Sequence, residues 1–340
     1  MKFVMGESLQ PVAAQMSVPM SFINAKLRGR RRRVYEGDRL SHLQQHRSVH
    51  RVWVELYPRE GGTGRVALER RLRENCVAEL ASFTHLLPPG VADFYNALLL
   101  RFRIDNILVL MRLFAGGREA VQPEEFVPEL PEKLRVPSGE LLGSPNLEAF
   151  VAALPPDLAR EAAPTISLYE EHRTIAFTEM ALERAWWLGI CEQLENQPRK
   201  HRHHCAAPLL SELASARVLA ALRAGRNYDI EWEDLEPQLP PVGPGPQEGP
   251  DAPLSDQRLR DLFEDPSPAN VAATVPRADK EVAESLIDLE ERMWETTYRI
   301  ANRIYYGVME GPSIVVSYFY VRRNELKNLI KTVESIHYGR

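Results

Sequence analysis

The sequence predicts an all-α protein, and three observations carry that reading. Apolar residues recur every three or four positions through most of the chain, the spacing of a helix with one buried face. Hardly any segment alternates apolar and polar residues with the period of two that marks a half-buried strand. Three successive blocks each close on a comparable apolar helix, near residues 100, 215 and 325, so the chain reads as a tandem helical array.

The chain has 340 residues, enough for two or three domains. With 44% hydrophobic and 26% charged residues it has the composition of an ordinary folded protein. A net charge of −5 supplies no global attraction to nucleic acid. The 26 prolines fall mostly between the periodic segments, where helices must stop.

The first block covers 1–120. Met1 to Pro19 has no charged leader followed by a continuous apolar run, so no signal peptide is expected. Ser21 to Leu27 opens a helix that carries the basic residues Lys26, Arg28, Arg30, Arg31, Arg32 and Arg33. Leu40 and Leu43 suggest a small helix within Asp38 to His50, and Val52 to Tyr57 follows, ending at Pro58. Glu60 to Gly64 reads as a flexible break. Leu68, Leu72, Cys76, Leu80, Phe83 and Leu87 mark an amphipathic helix of about five turns. Pro88-Pro89-Gly90 ends it, and Val91 to Phe114 returns beside it as an antiparallel hairpin. Arg112 interrupts the apolar run from Ile107 to Ala115, and nowhere do eighteen apolar residues run together, so no membrane span is predicted.

The second block covers 121–236. After a proline-spaced loop, Ser144-Pro145-Asn146 with Glu148 nearby initiates a short helix to Leu154. Pro164 to Gln197 reads as one continuous helix, apolar over a wide arc that includes Phe177, Leu182, Trp186 and Trp187. The closing helix is placed at Pro208 to Ala224, ended by Gly225. Residues 237–253 hold seven prolines and three glycines among seventeen positions and read as a mobile linker or insertion.

The third block covers 254–340. Two short helices precede a long stripe, Val282, Leu286, Leu289, Met293, Thr296, Ile300 and Ile304. Gly307 and Gly311-Pro312 break it. The closing helix then runs about five turns, with Ser317, Val321, Asn324, Asn328 and Lys331 on one face and Phe319, Leu326, Leu329, Ile330 and Val333 on another. Asn106 falls on Asn328 when the first closing helix is laid on the last.

Chemistry-bearing motifs are few. His201, His203, His204 and Cys205 have metal-ligating side chains, but the stretch lies between Pro198 and Pro208 and reads as an exposed loop without a second ligand set. No metal or cofactor is expected. Cys76, Cys191 and Cys205 are odd in number and far apart, which argues against a disulfide framework. Asp105, Asn106, Glu325 and Asn328 sit inside apolar helices and read as hydrogen-bonding groups that fix helix packing rather than as catalytic acids and bases. Gly61-Gly62-Thr63-Gly64 is not followed by Lys-Ser or Lys-Thr, so no phosphate loop is present. The arginine run is offered as a partner-binding patch. As an alternative function, a free helical scaffold would grip an acidic protein or nucleic acid through Arg28 to Arg33.

The closing helices, Leu100 to Ile107 with Met111-Arg112 and Tyr318 to Leu329, resemble those of the C-type subunit of the archaeal and bacterial A/V-type ATPases. The eukaryotic relative is the d-type subunit of the membrane sector. The Lys26 to Arg33 helix, the Tyr169 to Trp187 helix with Glu179 and Glu183, and the Asn227 to Leu235 segment are also similar in kind and order. Two features depart from the pattern: the 237–253 stretch, and Ala216-Arg217 where Asp-Asn would be expected. The resemblance implies three similar helical-hairpin domains around a pseudo-threefold axis, forming a funnel on the cytoplasmic face of the membrane. It implies a non-catalytic rotor spacer between the proteolipid ring and the D/F-type central-stalk subunits. No nucleic acid, cofactor or small-molecule substrate is implied. Such a part needs stiff hairpins and wide surfaces, not a cavity with a poised base.

Overall fold

The computed structural model describes residues 18–62, 64–117, 126–243, 254–275, 279–309 and 311–339. Every regular element among them is helical, as the periodicity demands. In the first block α1 is Met20–Arg31, α2 Asp38–Gln44, α3 Val49–Leu56, α4 Arg65–Ala81 and α5 Pro89–Ala115. The second holds α6 Ser138–Leu142, α7 Leu147–Ala152, α8 Pro156–Ala162, α9 Thr165–His172, α10 Ala176–Glu195, α11 Arg199–Asn227 and α12 Trp232–Leu235. The third holds α13 Asp256–Glu264, α14 Pro268–Thr274, α15 Lys280–Glu284, α16 Leu286–Gly307 and α17 Pro312–Tyr338.

Side-chain caps start many of the shorter helices. Asn146 Oδ1 accepts from the Ala149 N–H at 2.8 Å to begin α7, at the position the Ser-Pro-Asn signal marks. Ser255, Ser267, Asp279 and Ser285 do the same for α13 to α16. Ser285 also breaks the predicted long stripe, because its extended backbone separates α15 from α16. Leu289 and Ile304 of the stripe are buried, and Thr297, Ala301 and Tyr305 are buried beside them in place of its other positions.

Helix α17 is the axis of the packing. Pro312 to Val321 is buried on every side, because α1, α4, α5, α11 and α16 all lie against α17. From Arg322 onward the helix is amphipathic. The predicted hairpin is rearranged. Although α4 and α5 touch, α4 packs mainly on α17 and α5 mainly on α10.

Two cores result. The larger draws on residues from Ile23 to Val333 and includes α1 to α8, α10, the first half of α11, Ala301 and Tyr305 near the end of α16, and α17. The smaller gathers the second half of α11 with α12 to α16. The larger crosses the divisions at 120 and 236, and the smaller crosses the one at 236.

Four local expectations are corrected. The Pro164–Gln197 helix is two helices, since Arg173 adopts the left-handed conformation (φ 55°) after α9. The His201–Cys205 stretch is not a loop but the first turns of α11, which begins after Pro198 and runs straight through a buried Pro208. Gly225 does not end α11. It lies inside, where a Cβ would come 2.2 Å from the Phe263 carbonyl oxygen, so glycine is what lets α13 cross so closely. Near residue 60, Trp53 Nε1 donates to the Glu60 carbonyl at 3.1 Å, and a Cβ on Gly62 would overlap the Trp53 ring. That segment is a packed turn rather than a slack one; Thr63 lies outside the described residues.

The proline-rich stretch is also partly built in. Leu239 is buried, and Gly243 packs closely against Leu210 and Leu213. Arg217, the departure noted in the second closing helix, donates to the Pro240 carbonyl and to Asp256, so it ties together the two sides of that stretch. Residues 244–253 of the predicted linker lie outside the described residues. By length and composition α11 meets the criterion for crossing a bilayer. Its Leu209, Leu213, Val218 and Leu222 are buried within the protein, as in a core helix.

Candidate functional site

A cavity of about 1020 Å³ lies between α5, α10, α11, α16 and α17. These include one closing helix from each block: α5, α11 and α17 all line the same space. Its wall mixes apolar residues such as Phe102, Leu219 and Ile330 with many charged ones.

Those charges are matched across helices. Arg101 on α5 donates from Nε to Asp105 at 2.9 Å and from Nη2 to Glu183 on α10 at 3.1 Å. Burial disfavours the Arg101 cation, but Asp105, Glu183 and Glu212 outweigh it and raise its pKa. Beside it, Arg112 grips Glu179 through two hydrogen bonds of 2.7 and 3.2 Å. Glu212 on α11 receives Arg323 Nη1 at 2.9 and 3.0 Å and the Tyr320 hydroxyl at 2.7 Å, both from α17. Burial, and then the Glu212 charge, push the Tyr320 hydroxyl pKa far up, so it stays a donor. The Arg323 guanidinium also lies 4.9 Å from the Trp294 ring centroid, and Trp294 Nε1 donates to Asn324 at 2.9 Å. Lys327 sits half-buried with its ammonium 5.8 Å from the Trp294 ring centroid, its pKa lowered by burial.

This arrangement braces helices; it does not poise an acid and a base. Asp105, Glu179, Glu183 and Glu212 each face an arginine at hydrogen-bond distance. The pairs link α5 to α10 and α11 to α17, which stiffens the wall of an open space.

Residues 23–340 match the model of the ATP synthase (C/AC39) subunit family. The chain belongs to that family. No curated protein matches it. As a C/AC39 subunit it is a component of a V/A-type ATPase, taking part in rotary ion transport from within a peripheral assembly, and the family is a non-catalytic one.

The basic run of this C/AC39 subunit is divided by the fold. Arg31 is only 6% exposed and donates to Glu36 at 2.6 Å, to Tyr298 at 3.4 Å and to Asn302 at 3.3 Å. Arg28 donates to the Val308 carbonyl at 2.9 Å, so these two arginines bolt α1 to the end of α16. Arg30 lies 3.5 Å from Glu79 and, with Lys26, over the Phe83 ring. Arg32 and Arg33 are exposed. The basic run is therefore not one continuous exposed surface, because α1 turns one side to the protein.

The packing candidates also separate. Asn106 is buried and donates to the Pro128 carbonyl at 3.1 Å, while its neighbour Asp105 faces the cavity. Glu325 is buried and accepts from the Tyr35 backbone N–H at 2.6 Å and from Arg322. Arg322 also reaches Glu79 at 2.9 Å, and Tyr318 donates to Glu79 at 2.6 Å. Asn328, matched to Asn106 by repeat position, is only half-buried. Cys76 and Cys205 are buried, their thiols pushed up by desolvation to about 11 and about 12. Sequence reasoning missed Glu212, Arg323 and Trp294. A carboxylate in the second closing helix, Glu212, and an arginine pair beside aromatics were the available signals.

Proposed function

We propose that this protein is the rotor spacer of its ATPase, seated on the proteolipid ring at the cytoplasmic face and receiving the tip of the D/F-type central stalk in its cavity. The convergence of three closing helices on one open cavity carries this reading. A tandem array at 1–120, 121–236 and 254–340 that presents equivalent helices to a shared space is the design of a funnel. Torque transmission then requires a wall that does not yield. The Arg101–Glu183 and Arg323–Glu212 pairs cross-link neighbouring helices there. Lys327 and the apolar Leu326 and Ile330 offer contacts to an inserted helical tip.

Co-purification of tagged full-length chain from its native membranes tests this. The expected result is recovery of both stalk and ring subunits, and Lys327→Glu is expected to weaken stalk recovery about tenfold with ring recovery unchanged. Recovery of neither set by the wild-type chain overturns the rotor reading. An unaffected Lys327→Glu variant removes the stalk from the cavity.

A further inference from the structure

Outside the cavity, α2 and α3 bring together three side chains to which the rotor reading assigns no task. His42 and His46 are one turn apart, at the end of α2 and just beyond it, and so share one face. Glu55 on α3 sits between them. Its Oε1 is 3.3 Å from His42 Nδ1 and its Oε2 is 2.6 Å from His46 Nε2. The two imidazoles meet edge to face with centroids 5.6 Å apart. All three donor atoms lie within 4.8 Å of one another, the one such histidine, cysteine and carboxylate cluster among the described residues.

We propose that His42, His46 and Glu55 form a binding site for a divalent first-row transition ion of the zinc type, which clips α2 to α3. Two imidazole nitrogens and one carboxylate oxygen are a donor set that suits zinc, nickel or copper rather than magnesium or calcium. Tetrahedral zinc, with bonds of about 2.0–2.1 Å, places neighbouring donors roughly 3.4 Å apart. The observed 3.3 and 2.6 Å separations approach that spacing, so small side-chain rotations open the site without backbone movement. Burial opposes the charge on Glu55, but the two imidazoles outweigh it and hold its carboxyl below the usual range. It is therefore an anionic ligand at neutral pH. The His42 side chain is 64% exposed, which leaves a coordination position for water. Both helices pack on α17, so the clip would brace the outer layer against the central helix.

The histidines that the sequence singles out do not form such a set. Cys205 points into the core with its thiol pushed up to about 12, while His203 and His204 face solvent on α11.

Metal-stripped full-length chain should be titrated with zinc chloride by calorimetry and with cobalt chloride by visible absorption. One equivalent is expected to bind, with the cobalt bands of a four- or five-coordinate ion and a higher melting temperature in zinc. Glu55→Gln and His46→Gln are each expected to weaken binding at least about tenfold. The double variant His203→Ala/His204→Ala should bind as the wild type does. Metal-free melts of all variants, matched to wild type, exclude misfolding as the cause. The proposal is overturned if wild type takes up no equivalent, if the α2 and α3 variants keep its affinity, or if the α11 double variant is the one that loses it.

Discussion

The two cores of this protein are held by different means. In the larger, aromatic bulk fills the space. Tyr318, Phe319 and Tyr320 are fully enclosed, with Phe83 and Phe102 packed edge-on against Tyr318 and Phe319. The smaller core is mostly leucine, valine and alanine around one tryptophan, and its helices α12 to α15 are short. Short helices leave a high proportion of carbonyls without helical partners. Arginines from α11 take up carbonyls of these helices and their connections: Arg217 at Pro240, and Arg226 at Pro266 (3.2 and 3.0 Å) and at Ala283 of α15 (3.0 Å). Where apolar volume is large, shape complementarity sets the packing. Where it is small, a multi-donor side chain gathers loose ends of chain.

Three sets of substitutions probe that difference. Phe319→Ala removes a ring from the larger core and should cost about 3–5 kcal/mol. Hydrogen exchange should then rise in α4, α5 and α17 together; a rise confined to α17 would mean that the core is not one cooperative unit. Arg226→Leu should cost about 1–3 kcal/mol by leaving two carbonyls without their donor. Its effect on exchange should stay within α11 to α15, and spread into α4 or α5 would deny the two cores their independence. The smallest effects separate the two matched asparagines. Asn106→Leu should cost about 1–3 kcal/mol because the Pro128 carbonyl loses its partner, whereas Asn328→Leu should fall within about 0.5 kcal/mol. A melting comparison in which Asn328 is the costlier site would restore the symmetry implied by the sequence repeat.

Legibility followed the range of the interaction. Caps and stripes were readable because they involve residues three or four apart, as at Asn146 and in α4. Proline misled where its setting is tertiary. Pro208 reads as a breaker, yet it is buried inside α11, where packing on both sides offsets the missing hydrogen bond. Gly225 reads as a stop, yet its role is set by a carbonyl on another helix. The cavity showed in the sequence only as three similar helices. Its cross-wall pairs did not show, since Arg101 and Glu183 are 82 positions apart and Arg323 and Glu212 are 111 apart.

From composition and periodicity alone this chain was bound to be helical and to place many of its breaks near capping residues, while the order of its elements was legible only as a resemblance to its family. Which arginines are buried, which histidines converge and where the space opens depend on contacts between distant segments. Arg31 looks like its neighbours in the basic run until Asn302, 271 positions away, lies against it. Local sequence sets the helical state because its hydrogen bonds close within a turn. The partners of a side chain that leaves the helix are chosen by the packing of whole helices, and only the folded chain holds that information.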